Sequence, residues 1–216
     1  TLAANLSRDV LLDKYAAARR AAFHDPLTGL GTRRLFEEKL EQECARSARY
    51  HTSFAVALVD IDHFKSINDS LGHAAGDEAL TRLGTILSQE CRETDTLARH
   101  GGDEFILLLP KTNGEQAQRL LERIRGRIAA DQCDDRPTLT ISVGVVGAQD
   151  GGVAGGELVR RADKALYQAK RDGRNRVVCW SSLRQVLEKV GPDGRRLDEI
   201  RGQIGSLAVQ ARESFV

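Results

Sequence analysis

The chain has no methionine, no long apolar run, no C-x-x-C pair and almost no net charge. Each absence removes a class of explanation. A formal net charge of +1 gives bulk electrostatics no grip on a nucleic-acid polymer. No apolar stretch approaches membrane-spanning length, and no signal peptide is visible. The cysteines at 44, 91, 133 and 179 lack zinc-ligand spacing, so reduced thiols and a cytosolic compartment are expected. There is no Walker A loop, no G-x-G-x-x-G and no G-x-S-x-G elbow, which sets aside the commonest phosphate cradles and the serine nucleophile. With Thr1 first and no methionine, the expectation is a piece of something longer, which leaves an upstream membrane tether open.

What is present is an ordinary core-forming balance: 41% hydrophobic and 29% charged over 216 residues. Residues 1–22 read as a helix rich in Ala, Leu and Arg, ending near HDPLTGLGTRR, where Pro26 disfavours helical geometry at Asp25. Helical spacing follows over about 33–49, with Phe36, Leu40 and Cys44 on one face. SFAVALVD reads as a buried strand over 53–60, and HAAGDEALTRLGTILSQE as a helix. A hairpin is expected over 97–109, a helix over about 114–130 and a strand over 138–147. A helix ending at Gly173 and a closing strand RVVCW complete this part. The central order predicts a sheet with helices covering one face. Beyond 181 a different character begins: two helical stretches around GPDG, the second with a heptad-like seam at Leu197, Ile200, Ile204, Leu207 and Ala211. That seam suits either packing onto the domain or contact with another chain.

Chemistry concentrates in a few places. RHGGDEF, residues 99–105, puts two glycines beside two carboxylates at the tip of the hairpin. Gly101 and Gly102 permit positive φ and leave no side chain above the turn. A buried strand also runs into Asp60 and Asp62, which can share one face and suit a hard cation such as Mg²⁺, with Asp103 or Glu104 completing the set. Solvated loop acids are the plain alternative. Asn68 and Asp77 could read a purine edge, the carboxylate favouring guanine, or could cap helices. Lys170, Arg171 and Arg174 at a helix end complement its dipole or neutralise a triphosphate.

Five blocks in order, DPLTGLGTRR (25–34), DIDHFKSINDSLGHAAGDE (60–78), RHGGDEF (99–105), ISVGV (141–145) and ADKALYQAKRDGRNRV (162–177), resemble the signatures of the GGDEF domain, the family that contains the diguanylate cyclases. The resemblance covers about 23–180. It implies an α+β fold with a central, mostly antiparallel sheet wrapped by helices, like a polymerase palm or a nucleotide cyclase with a ferredoxin-like core. It implies condensation of two GTP into cyclic di-GMP and two pyrophosphates, with Mg²⁺ (or Mn²⁺) as cofactor. Each chain of a homodimer would hold one GTP.

Residue by residue, the resemblance makes Asp60, the Ile61 carbonyl and Asp103 metal ligands. Asp103 would also help deprotonate the 3′-hydroxyl, and Glu104 would stand near metal or phosphate. The loop backbone at Phe64 and Lys65, with Lys170 and Arg174, would hold the terminal phosphates. Asn68 and Asp77 would read guanine, and Asp62 would be mainly structural. RETD (92–95) resembles the family's product-inhibition site, with Arg92, Asp95 and a secondary Arg123 holding cyclic di-GMP. Thr32 departs from the usual asparagine of the first block. Residues 1–22 resemble a signalling helix joined to an upstream sensor, and 181–216 a helical extension. A silent GTP or cyclic di-GMP receptor is the competing reading.

Overall fold

The computed structural model describes residues 22–131, 138–148 and 153–184. Expectations for 1–21, most of 181–216 and Cys133 lie outside them. Six strands form one sheet in the order β1-β3-β4-β2-β5-β6. They are β1 (Gly31–Thr32), β2 (Phe54–Ile61), β3 (Thr96–Gly101), β4 (Glu104–Pro110), β5 (Ile141–Ala148) and β6 (Val177–Cys179). The central ladders β3–β4, β4–β2 and β2–β5 are antiparallel, and the outer pairs β1–β3 and β5–β6 are parallel. The helices are α1 (Arg33–Tyr50), α2 (Phe64–Leu71), α3 (His73–Glu90), α4 (Gly114–Ala130) and α5 (Gly155–Arg171).

The implied fold class is the one observed. The expectation of helices on one face is corrected: both faces are covered. Every residue of β2 is buried. Its alternate side chains divide two cores, as the two-residue period of a strand requires. Ala55, Ala57, Val59 and Ile61 join Leu80, Leu83 and Leu87 of α3 and Leu121 and Ile124 of α4. Phe54, Val56 and Leu58 join Phe36 and Leu40 of α1 and Leu158, Ala162 and Leu166 of α5. A continuous apolar strand means burial on both sides.

Two local devices set the site's framework. Asn113 and Gln116 form a reciprocal capping box at the start of α4, with both bonds at 2.9 Å. Gly144 allows α5 to lie on β5, because a Cβ there would overlap the Ala162 carbonyl and the Leu166 backbone. No helix of the described residues is long and apolar enough to cross a membrane.

Candidate active site

The acidic residues meet where β2 ends beside the β3–β4 hairpin. Asp60 lies directly opposite Glu104 across the β2–β4 ladder, and Asp103 sits in the turn just before β4. Like charges facing each other across a ladder are unfavourable unless something positive joins them. Here α5 delivers that charge: Lys170 Nζ is 2.7 Å from Asp60 Oδ2. Asp60 is only 5% exposed. Burial chiefly, then Asp103 and Glu104, push its carboxyl up to about 6, against the pull of Lys170. Ile61 closes the strand.

The hairpin tip is open. A Cβ at Gly101 or Gly102 would meet nothing within 4 Å. Only Gly102 uses a positive φ, 53°; Gly101 is the last residue of β3, beyond a register shift after Arg99. Arg99 fixes the turn from below. Its Nε and Nη2 donate to the Gly102 carbonyl at 3.0 and 2.8 Å.

Asp62 does not share the metal-ligand role that the strand spacing alone left open. Its oxygens accept from Ser142 Oγ at 2.6 Å, Thr140 Oγ1 at 2.8 Å and Asn175 N at 2.9 Å. Donors surround it, which suits a structural acid.

Phe64 and Lys65 are the first turn of α2, not a loop. His63 before them takes a left-handed φ of 58°, which turns the chain sharply from the strand into the helix. Neither Asn68 nor Asp77 caps the start of a helix, since the N-cap residues of α2 and α3 are His63 and Gly72, neither with a side-chain cap. The Asn68 carboxamide rests against Gly76, where a Cβ would overlap its oxygen, and Gly76 adjoins Asp77. Asp77 opens onto a groove of about 800 Å³ whose lining includes Leu27, Glu78, Thr81 and Arg127. Asn175 and Arg174 form a left-handed turn after α5, with φ of 44° and 62°. Arg171 departs from the basic trio: its guanidinium lies 5.8 Å over the Tyr167 ring.

Arg92, Asp95 and Arg123 share the lining of a second pocket of about 280 Å³, together with Glu90, Lys111 and Arg119. Asp95 Oδ2 accepts from Arg92 N at 2.8 Å, and Asp95 Oδ1 is buried without a hydrogen-bond partner. Burial raises the Asp95 carboxyl above its ordinary value, against the Arg92 amide and charge. Arg123 is engaged with Glu90, Nε to Oε2 at 2.8 Å.

The sequence reading passed over Arg99, Gly76 and Gly144. The first was visible as a cation in the acidic motif. The glycines carry no signal until their neighbours in space are known.

Among the described residues, no group of three or more His, Cys, Asp and Glu is gathered closely enough to hold a metal ion. The donor chemistry nevertheless fits a hard cation. Asp60, Asp103 and the Ile61 carbonyl are all oxygen donors, and Asp103 and Glu104 add negative charge beside Asp60, whose carboxyl is raised mainly by burial.

Sheet order and site together define the palm-like α+β class, with its acids at the end of a central strand and on the adjoining hairpin. A family model described as diguanylate cyclase, GGDEF domain, matches residues 22–176. Diguanylate cyclase DgcP of Pseudomonas aeruginosa is 46% identical over 162 residues, which cover 74% of this chain and 24% of that protein. Diguanylate cyclase DgcM of Escherichia coli is 42% identical over 159 residues, 74% of this chain and 38% of that protein. Among solved structures, the coiled coil and GGDEF domain of DgcB from Caulobacter crescentus, in complex with c-di-GMP, aligns with a TM-score of 0.77. It is 30% identical, and the alignment covers 82% of this chain and 95% of that one. The chain belongs to the GGDEF family. It spans well under half the length of the two curated relatives.

Proposed function

We propose that residues 23–180 are a diguanylate cyclase domain, joining two GTP into cyclic di-GMP with release of two pyrophosphates. The observation that carries the reading is the juxtaposition of Asp60 and Glu104 on paired strands, beneath a hairpin tip with no side chain above it.

In this reading each chain binds one GTP. Asn68 and Asp77 take the guanine edge, the Asp77 carboxylate accepting from its amino group and ring N–H. The first turn of α2 at Phe64 and Lys65, with Lys170 and Arg174, takes the terminal phosphates. Asp60, Asp103 and the Ile61 carbonyl would hold Mg²⁺, and Mn²⁺ has suitable ligand chemistry as well. That ion supplies charge neutralisation at the phosphates and acidifies the attacking hydroxyl. Asp103 takes the proton from the 3′-hydroxyl oxygen. That oxygen bonds to the α-phosphorus of the GTP on the partner chain as the bond to pyrophosphate breaks. The second bond forms the same way in the opposite direction. Glu104 stands near the metal or the phosphates, across the ladder from Asp60, which itself pairs with Lys170. Two half-sites must face each other, so one chain alone holds half of the reacting pair.

The pocket at Arg92, Asp95 and Arg123 is read as a product site, where guanidinium groups meet guanine edges and phosphate and Asp95 meets a base. Residues 1–22 would bring two domains together on a signal from an upstream sensor. The first experiment is GTP turnover with Mg²⁺ over a protein concentration series, after bound product is stripped. Cyclic di-GMP formed at a rate rising faster than linearly in protein is the expected result. No product from a product-free dimer would overturn the reading in favour of a receptor.

A further inference from the structure

The turn after α5 is held in an uncommon backbone. Gly173, Arg174 and Asn175 have φ of 110°, 62° and 44°, three left-handed residues in succession, two of them with side chains. Such a conformation persists where surrounding groups over-determine it. Ala169 O accepts from Arg174 N at 3.0 Å. Arg174 O accepts from Arg176 Nε at 3.1 Å, and Asn175 Oδ1 from Arg125 Nη1 at 3.0 Å. Those bonds shape the turn and tie it to α4. The bond that ties it to the end of β2 runs from Asn175 N to Asp62 Oδ2, at 2.9 Å.

Asp62 is well placed to anchor. It is 5% exposed and two residues beyond Asp60. Its amide donates to Thr140 O at 2.9 Å, and its carboxylate is gripped by Thr140 and Ser142. One side chain therefore joins the strand of Asp60, the entry to β5 and the turn carrying Arg174.

We infer that Asp62 is a positioning residue for the terminal phosphates of GTP: it fastens the left-handed 173–175 turn to the end of β2, and so sets Arg174 relative to Lys170 and Asp60. The inference rests on the cyclase reading. A carboxylate at Asp62 contacts no phosphate itself; it acts through Arg174. Removing it frees the Asn175 amide, and the turn leaves its left-handed conformation.

The test uses the full chain and an α,β-methylene analogue of GTP, which cannot lose pyrophosphate. Asp62→Ala is expected to weaken analogue binding about as much as Arg174→Ala, on the order of tenfold for a charge-assisted phosphate contact. The double variant is expected to bind no more weakly than Arg174→Ala, because the two residues act as one unit. Amide exchange at Asn175 is expected to rise in Asp62→Ala. Asp62→Asn is expected to restore binding, since its oxygen can still face the Asn175 amide while Ser142 accepts from its nitrogen. Where the alanine variant does not fold, Asp62→Ser serves: it still meets the neighbouring hydroxyls but falls short of the Asn175 amide.

Additive losses in the double variant overturn the inference, because Asp62 would then act by another route. So does unchanged binding in both the alanine and serine variants. A wild type that binds no GTP analogue overturns the cyclase reading and this inference with it. A wild type that binds beside variants that bind equally well overturns the inference alone.

Discussion

Arg99 and Asp25 are joined across 74 residues of chain, Nη1 to Oδ2 at 3.3 Å, and the same guanidinium grips the carbonyl of Gly102. Asp25 in turn accepts from the Thr28 amide and hydroxyl at 2.9 and 2.8 Å. The turn that follows residues 1–22 is thus wired to the hairpin tip. Burial alone would raise the Asp25 carboxyl; Thr28 and then Arg99 outweigh it and hold the group below its ordinary value.

Arg99→Ala removes both links at once and leaves the Asp25 carboxylate half-buried without its cation. The expected cost is about 1–3 kcal/mol in stability, with turnover falling more than GTP binding because the tip is loosened rather than the base site. Asp25→Asn keeps the Thr28 contacts in part and is expected to cost less. Thermal melts beside single-turnover rates check the ordering; an Arg99→Ala variant as active as wild type would show the tip needs no clamp.

Asp60 gives a pH dependence whose sign follows from its environment. Its carboxyl is pushed up to about 6 in the fold from 3.8. Between those values the folded chain keeps a proton that the unfolded chain has released, so stability falls as pH rises through that window. Asp60→Asn carries no such titration. Without added metal, the variant's stability relative to wild type is expected to climb from about pH 4 to about pH 6 and then level, by on the order of 3 kcal/mol. Mg²⁺ affinity of the wild type should rise over the same range, since the ligand must lose its proton. Chemical denaturation across pH, with and without Mg²⁺, reads both.

The long elements were legible because their periodicity is strong. Phe36 with Leu40, and Leu80 with Leu83 and Leu87, announce α1 and α3, and both are observed. α2 was not anticipated. It has eight residues, none of them buried, and its apolar Phe64 and Ile67 sit within a polar motif. β1 has two residues and exists through its parallel register with Ala98 and Arg99, which no local pattern encodes. Two-sided burial was legible in FAVALV, an unbroken apolar run that leaves neither face for solvent; element order taken alone gave the one-faced sheet. At the site, the acids and the proposed base readers Asn68 and Asp77 were legible as types at fixed spacing. Their partners were not, because Lys170 lies 110 residues from Asp60 and meets it only through the approach of α5 to Gly144.

If Asn68 and Asp77 read guanine as proposed, variants at Gly76 and Asp77 separate shape from chemistry. Gly76→Ala places a methyl group on the Asn68 oxygen and is expected to displace that amide while leaving the Asp77 carboxylate in place. Asp77→Ala removes the acceptor for the guanine amino group. Wild type should favour GTP over inosine triphosphate, which lacks that group, by about tenfold, and Asp77→Ala should lose the preference. Gly76→Ala should bind both nucleotides more weakly and keep it. Competition binding with the two triphosphates distinguishes these outcomes, and an undiminished preference in Asp77→Ala would remove Asp77 from the base site.

Product control should divide unequally between the two arginines of the second pocket. Arg92 is exposed and lines the pocket beside Asp95, while the Arg123 guanidinium pairs with Glu90. A ligand must therefore displace a direct ion pair with Glu90 to engage Arg123, whereas at Arg92 it meets the charge of Asp95. Arg92→Ala is expected to leave turnover of product-free enzyme unchanged, because the pocket lies outside the Asp60–Glu104 site, and to weaken inhibition by cyclic di-GMP about tenfold or more. Arg123→Ala is expected to act in the same direction with a smaller effect. Progress curves with added cyclic di-GMP measure both. Equal effects would mean that the Glu90 pairing is relinquished without cost, and normal inhibition in Arg92→Ala would move the product site elsewhere on the domain.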